Sequence, residues 1–296
     1  METSVHSTPS EVQNVGSMRP ESGRPPKLDE IGEWSELKLD ILKKYAGAYC
    51  TILKARGLHP IYIDGFAGAG FHIRKATKEL VPGSPLNALK VEPPFEKHHW
   101  IDLDESKVAA LKRQTAGLKH VHIYGGDANK ILLNEVFPKI RFENFERALC
   151  ILDPYGLHLN WEVIETAAKM GTVEVFLNFP VLDMNRNVLL WEPTNASADD
   201  VKRMTALWKD ESWRDVAYST SGNLFGFPEK QPNEVIAEAF RERLQKVAGF
   251  KYVPEPVPMK NSRSAILYYL FFAAQKETAE NIVLDILKKY RGEGVL

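Results

Sequence analysis

Tyr62-Ile63-Asp64-Gly65-Phe66-Ala67-Gly68-Ala69-Gly70 is the stretch whose reading decides the fold. Ile61 to Ile63 predict the end of a buried strand. Asp64 closes it, and glycines follow at 65, 68 and 70. In an open α/β sheet a ligand sits beyond the carboxyl end of such a strand, beside the turn into the next helix. The run has neither a Walker lysine nor a full GxGxxG, which disfavours a nucleotide polyphosphate.

Outward from this run, strands and helices alternate. The pattern predicts strands at 59–64, 98–102, 121–124, 148–152 and 173–179, with helices near 106–114, 129–137 and 160–169 between them. Alternation of this kind implies a parallel sheet with right-handed crossovers. Ahead of the first strand, Trp34, Leu37, Ile41, Tyr45, Ala48 and Ile52 step by three or four and predict a helix ended by Gly57. Lys38, Lys43, Lys44 and Lys54 are assigned to its other faces. Ser84 and Asp104 are expected to be helix N-caps, with Pro85 in the first turn after Ser84. Residues 181–232 are rich in Asn, Asp and Trp and read as an insertion with one helix near 198–209. A helix at 233–247, closing strands at 250–257 and 265–275 and a last helix at 278–290 complete the domain. Residues 1–26 hold five Ser, four Pro and no aromatic residue, so a disordered leader is expected before a domain at 27–296.

The bulk numbers narrow the function classes. The chain has 296 residues, 38 Lys+Arg against 39 Asp+Glu, and a net charge of -1, so no global basic excess marks a nucleic-acid binder. Cys50 and Cys150 are the two cysteines and share no CxxC spacing, which argues against a metal knuckle or a disulfide framework. They read as buried thiols of a cytoplasmic protein. No apolar run reaches membrane-spanning length.

Four successive strands end in acid: Asp64, Asp102, Asp127 and Asp153. Their positions suit S-adenosylmethionine, a ligand with a cation near an adenosine. Asp64 would face the methionyl ammonium, directly or through water. Gly65, Phe66, Ala67, Gly68 and Gly70 would line that end, with the glycines letting backbone approach the ligand. Asp102 is placed to accept both ribose hydroxyls. Asp127 would accept from the adenine amino group, and the Ala128 N–H would meet adenine N1. Asp153-Pro154-Tyr155-Gly156 suits methyl transfer to an exocyclic base amine. Asp153 and the Pro154 carbonyl would accept from the NH2 group and favour a pyramidal nitrogen, while Tyr155 would stack on the base. Asn178-Phe179-Pro180 reads either as target-pocket lining or as a plain strand end. The loop carrying His72, Arg74, Lys75 and Lys78 reads as a solvated face ahead of a phosphate contact. Trp191, Trp208 and Trp213 read as an insertion core ahead of a stacking surface.

These residues resemble known families. Asp64–Gly70 looks like motif I, and Asp153–Gly156 like motif IV, of Rossmann-type S-adenosylmethionine-dependent methyltransferases. More specifically, the chain resembles the three-Cys-motif partner family over roughly residues 30–290. That resemblance rests on Trp34 with Lys38, the FAGAG turn, Gly83-Ser84-Pro85, Asp153-Pro154-Tyr155-Gly156 and Tyr268-Tyr269-Leu270-Phe271-Phe272. It implies a Rossmann-like class I methyltransferase fold, α/β, with a mostly parallel sheet, a closing antiparallel strand and helices on both faces. It also implies a protein partner carrying three cysteines, of radical-S-adenosylmethionine type. Adenine-N6 methyltransferases carry a related Asp/Asn-Pro-Pro-aromatic motif, from which this chain departs by lacking the second proline. tRNA guanine-N2 dimethyltransferases carry a similar Asp-Pro-Phe-Gly.

The reading that follows is a methyltransferase acting on an exocyclic amine, adenine N6 or guanine N2, of a nucleic acid, with RNA ahead of DNA. The alternative is a methyltransferase-like, non-catalytic module that docks the three-cysteine partner. A nicotinamide dehydrogenase shares Asp102 but gives Asp153–Gly156 no role.

Overall fold

The computed structural model describes residues 26–219, 229–261 and 263–292. The expected leader at 1–26 therefore lies outside the described residues except for Pro26, as does part of the expected insertion. Seven strands form the central sheet: β1 (His59–Asp64), β2 (Lys97–Asp102), β3 (Val121–Gly125), β4 (Glu146–Leu152), β5 (Val173–Phe179), β6 (Val257–Lys260) and β7 (Ile266–Ala273). Their order across the sheet is β3-β2-β1-β4-β5-β7-β6. The pairs β1–β2, β1–β4, β2–β3 and β4–β5 are parallel, and β7 runs antiparallel to both β5 and β6. The fold is thus Rossmann-like α/β of the class I methyltransferase type. Chain order reverses at β1, which lies between β2 and β4, so the switch point is the end of β1 beside the end of β4.

Strand alternation sorts the side chains between two cores. Ile61, Ile63, Cys150, Val175 and Leu177 pack on one face with helices α2 (Trp161–Met170) and α3 (Asn233–Arg243). Tyr62, Trp100, Leu149, Ile151, Phe176, Leu270 and Phe272 pack on the other, beneath α1 (Glu33–Ala55) and α4 (Glu277–Gly292). Continuing that alternation, Asp64, Asp153 and Asn178 follow Tyr62, Ile151 and Phe176 on the α1 side. Both cysteines are buried and unpaired.

Several expectations are corrected. Gly83, not Ser84, is the N-cap of the short helix Ser84–Ala88, because the Ser84 hydroxyl is drawn to Asp64 instead. Lys38 does not lie on an outer face of α1; it is buried in the stripe of Leu42, Tyr45 and Tyr49, one helical turn on from Trp34. Among the described residues the insertion holds three α-helices, Val181–Asn187, Ala198–Trp208 and Trp213–Ala217. In the segment 250–257 a strand begins only at Val257; before it Tyr252 makes one bridge, and Pro254 and Pro256 lack the N–H a ladder needs. Residues Phe71–Arg74 and Leu80–Pro82, read as loop, form a hairpin that pairs with Glu30–Ile31. Asp104 does cap its helix, accepting from the Ser106 and Lys107 amides. Among the described residues no helix is long and apolar enough to cross a membrane.

Candidate active site

Asp64 ends β1 fully buried. Its carboxylate accepts from Ser84 Oγ at 2.6 Å, Tyr62 Oη at 3.0 Å and the Phe66 amide at 3.2 Å. Burial raises its pKa to about 6 against the lowering pull of those three bonds. Asp64 therefore braces the turn, and any contact with a ligand would run through Ser84 or the loop backbone. The turn is fixed on its other side by β2. The Ala67 amide donates to the Ile101 carbonyl at 2.9 Å and the Gly68 amide to Asp102 Oδ2 at 2.8 Å. Gly70 has φ +86, and a Cβ there would stand 2.5 Å from Gln114 Oε1, so this glycine serves close packing against the protein itself.

Asp102 lies partly exposed at the end of β2. Its other oxygen accepts from the Asp104 amide at 2.9 Å. The next residue, Leu103, is 75% exposed, a large apolar side chain left in water beside two acids. Asp127 is exposed, and its Oδ1 accepts from the Asn129 amide at 2.8 Å and from Asn129 Nδ2 at 3.0 Å, which caps the helix that buries Ala128. Gly65, Phe66, Ala67, Gly68, Gly70, Asp102, Asp127 and Ala128 thus line consecutive carboxyl ends of β1, β2 and β3.

At the end of β4, Asp153 meets two partners from other elements. One oxygen pairs with Lys38 Nζ of α1; the other accepts from Asn178 Nδ2 of β5 at 2.6 Å. Burial alone would lower the Lys38 pKa, but the Asp153 carboxylate outweighs it and holds the ammonium above the usual lysine range. Lys38 Nζ also stands 5.3 Å from the ring centroid of Tyr268 on β7. His72 lies near this pair: burial, with Lys38 adding to it, lowers its pKa, and its Nδ1 has no partner. A carboxylate offers about four acceptor positions, so Asp153, 34% exposed, keeps capacity to accept from a substrate amine.

The loop after Asp153 is pinned from both sides. Gly156 has φ +78 and lies against Asp183, which accepts from the Leu157 amide at 3.1 Å. Asn129 donates to the His158 carbonyl at 3.0 Å and accepts from the Asn160 amide at 2.8 Å. Pro154 is buried between these anchors, while Tyr155 is 92% exposed. A ring held out on a fixed loop is available for stacking.

Lys38, Ser84 and Leu103 line the site, but the sequence reading gives none of them a part in binding or catalysis. A lysine one helical turn from Ile41 and Leu42 was the available signal for the first. The basic segment is largely neutralised, with Arg74 paired to Glu36 and Glu79, and Lys78 to Glu30. Trp208 and Trp213 are core residues of the insertion, whereas Trp191 is 81% exposed. Among the described residues no cluster of three or more His, Cys, Asp or Glu is placed to hold a metal ion.

No family model matches the chain, so membership of the three-Cys-motif partner family is not shown, and no curated protein matches it in sequence. Solved structures resemble the chain at low similarity. Protein LPL1258 of Legionella pneumophila is 11% identical, with a TM-score of 0.43 over 85% of this chain and 92% of that one. A candidate methyltransferase of Thermobifida fusca is 13% identical, with a TM-score of 0.41 over 82% and 80%. An S-adenosylmethionine-dependent methyltransferase candidate of Listeria monocytogenes is 14% identical, with a TM-score of 0.38 over 74% and 92%. The functional reading therefore stands on the site's own residues.

Proposed function

We propose that the protein is an S-adenosylmethionine-dependent methyltransferase acting on an exocyclic amine, adenine N6 or guanine N2, of a nucleic-acid base, with RNA ahead of DNA. The observation that carries this reading is Asp153, set beside the switch point, oriented by Lys38 and Asn178 and followed by the exposed Tyr155.

The residues at the ends of β1 to β3 fit the cofactor. Asp102 would accept from the ribose, Leu103 offers the adenine an apolar face, and Asp127 has a carboxylate oxygen left for the adenine amine. When bound, S-adenosylmethionine supplies an electrophilic methyl group. The chain's own part is to hold the acceptor amine. Asp153 and the Pro154 carbonyl accept its two N–H bonds, which localises the nitrogen lone pair away from the ring. Tyr155 stacks on the base once it has left its helix or loop. Lys38, kept charged, orients Asp153; it is not the base.

The test has two readouts. Titration calorimetry should give saturable S-adenosylmethionine binding that survives Asp153→Ala, while methyl transfer to total RNA is lost. Absence of cofactor binding to the pure wild-type protein would sink the reading.

A second reading is favoured by one observation: both Asp153 oxygens already have protein partners. In it the domain binds the cofactor without transferring methyl groups and docks a three-cysteine partner of radical-S-adenosylmethionine type. Robust transfer by the protein alone would exclude it.

A further inference from the structure

The opposite edge of the sheet, at the amino ends of the parallel strands, carries a half-open cavity of about 160 Å3. Its lining includes Tyr45 and Tyr49 of α1, Thr172 just before β5, Glu174 within it, and Ala279 and Ile282 of α4. A space of about 150 Å3 accommodates a benzene-sized molecule.

The polar groups in that wall are unusual. Tyr49 and Thr172 are each 4% exposed, and neither hydroxyl has a hydrogen-bond partner. Buried hydroxyls without partners are rare, and each costs stability unless something else satisfies it. In the same wall Glu174 accepts from Tyr45 Oη at 2.6 Å. Burial pushes Glu174 up to about 7, against the lowering effect of that bond. Alternation along β5 puts Glu174 on the face of Phe176, where a plain core would carry an apolar side chain.

We propose that this cavity binds a small molecule bearing an ammonium group on an apolar body, with the ammonium held by Glu174, Tyr49 and Thr172. An ammonium has three N–H donors, and these three groups supply one acceptor oxygen each. The Tyr45 and Tyr49 rings, whose centroids lie 6.2 Å apart, also line the cavity, and aromatic rings attract cations. An anion is the rival, because Arg56, Arg147 and Lys276 also line the cavity. Arg147, however, donates to the Glu146 carbonyl and stands over the Phe142 ring, and Arg56 and Lys276 are exposed. The inference is independent of the proposed methyl transfer, since the cavity lies on the other edge of the sheet from Asp153.

Calorimetry of the full chain at neutral pH with benzylammonium, benzyl alcohol and benzoate tests it. Benzylammonium should bind saturably, with the alcohol and benzoate weaker by about tenfold or more, the worth of one charge-assisted hydrogen bond. Glu174→Gln should weaken benzylammonium about tenfold while a thermal melt confirms folding. Thr172→Val, of the same size, should weaken it severalfold and serves if the first variant does not fold. Equal binding of amine and alcohol, preference for benzoate, no saturable binding, or binding unchanged in either variant overturns the proposal.

Discussion

Lys38 and Asp153, 115 positions apart in the chain, meet as an ion pair at the carboxyl end of the sheet, with the lysine side chain only 10% exposed. The pair joins α1 to the end of β4. It also decides a chemical question. A lysine held above its usual pKa range keeps its proton, so in the proposed reaction Lys38 orients Asp153 and is not the base.

Replacing Lys38 should therefore hurt positioning and stability together. Lys38→Met is expected to cost about 2–3 kcal/mol in urea unfolding, less than a fully enclosed pair because Asp153 keeps solvent contact. Transfer should fall by about 100-fold or more, with S-adenosylmethionine affinity changed by less than about threefold. A basic limb near pH 9–10 in the wild-type rate profile would contradict the assigned charge state.

Tyr155 has a role separable from that pair. Tyr155→Ala removes a side chain that is 92% exposed, so the melting temperature should not move. The Michaelis constant for a nucleic-acid substrate should rise about tenfold, since base–aromatic stacking is worth about 1–3 kcal/mol. Tyr155→Phe should behave as wild type.

The loop beneath Tyr155 depends on Gly156. A Cβ there would lie 2.7 Å from Asp183 Oδ2, on a backbone with φ +78. Gly156→Ala should cost about 1–2 kcal/mol from the left-handed conformation alone. Combining it with Asp183→Ser should recover part of the lost transfer by removing the clash; strict additivity of the two defects would show that Asp183 does not seat the loop.

Asp102 and Leu103 should govern the cofactor. Asp102→Asn keeps the shape but weakens the acceptor, and is expected to reduce S-adenosylmethionine affinity about tenfold. Leu103→Ser should reduce it severalfold without lowering stability, because Leu103 is exposed. Both effects are read by calorimetry.

Stability should fall as pH rises from about 4 to 7. Burial raises Asp64 to about 6 and Glu174 to about 7, so the native state holds protons that the unfolded chain has released. Their contribution is fully present below the unfolded carboxyl pKa values and is lost as pH climbs through the folded ones. Each group bears on the slope by up to about 3 kcal/mol. Glu174→Gln should flatten the upper part of that slope and be more stable than wild type at pH 8. A wild-type unfolding free energy that rises across this window would show that other carboxylates dominate.

Much of the fold is legible locally. β1 and β5 begin and end where alternation, Gly57 and Pro180 indicate, and Asp104 caps its helix as a short polar side chain before an apolar period should. The failures are places where a distant contact overrode a local preference. Ser84 has cap chemistry, but a buried carboxylate 20 positions away claims its hydroxyl. Lys38 has a charged side chain, but a carboxylate 115 positions away at the end of β4 makes burial tolerable. The hairpin at 71–82 forms because Glu30–Ile31 supplies its third strand.

By itself, the sequence determined the strand–helix alternation, the acids at the ends of β1, β2, β3 and β4, and so the edge of the sheet where a ligand belongs. Periodicity and turn chemistry act over a few residues, and the chain order carries them intact. Only the tertiary structure decided which acid is enclosed by internal donors and which keeps contact with solvent. Asp64 and Asp153 look alike in sequence. Folding buries the first among three internal donors and leaves the second at the surface between Lys38 and Asn178. The environment of a carboxylate is made by side chains that sequence separation hides, and only packing brings them within reach.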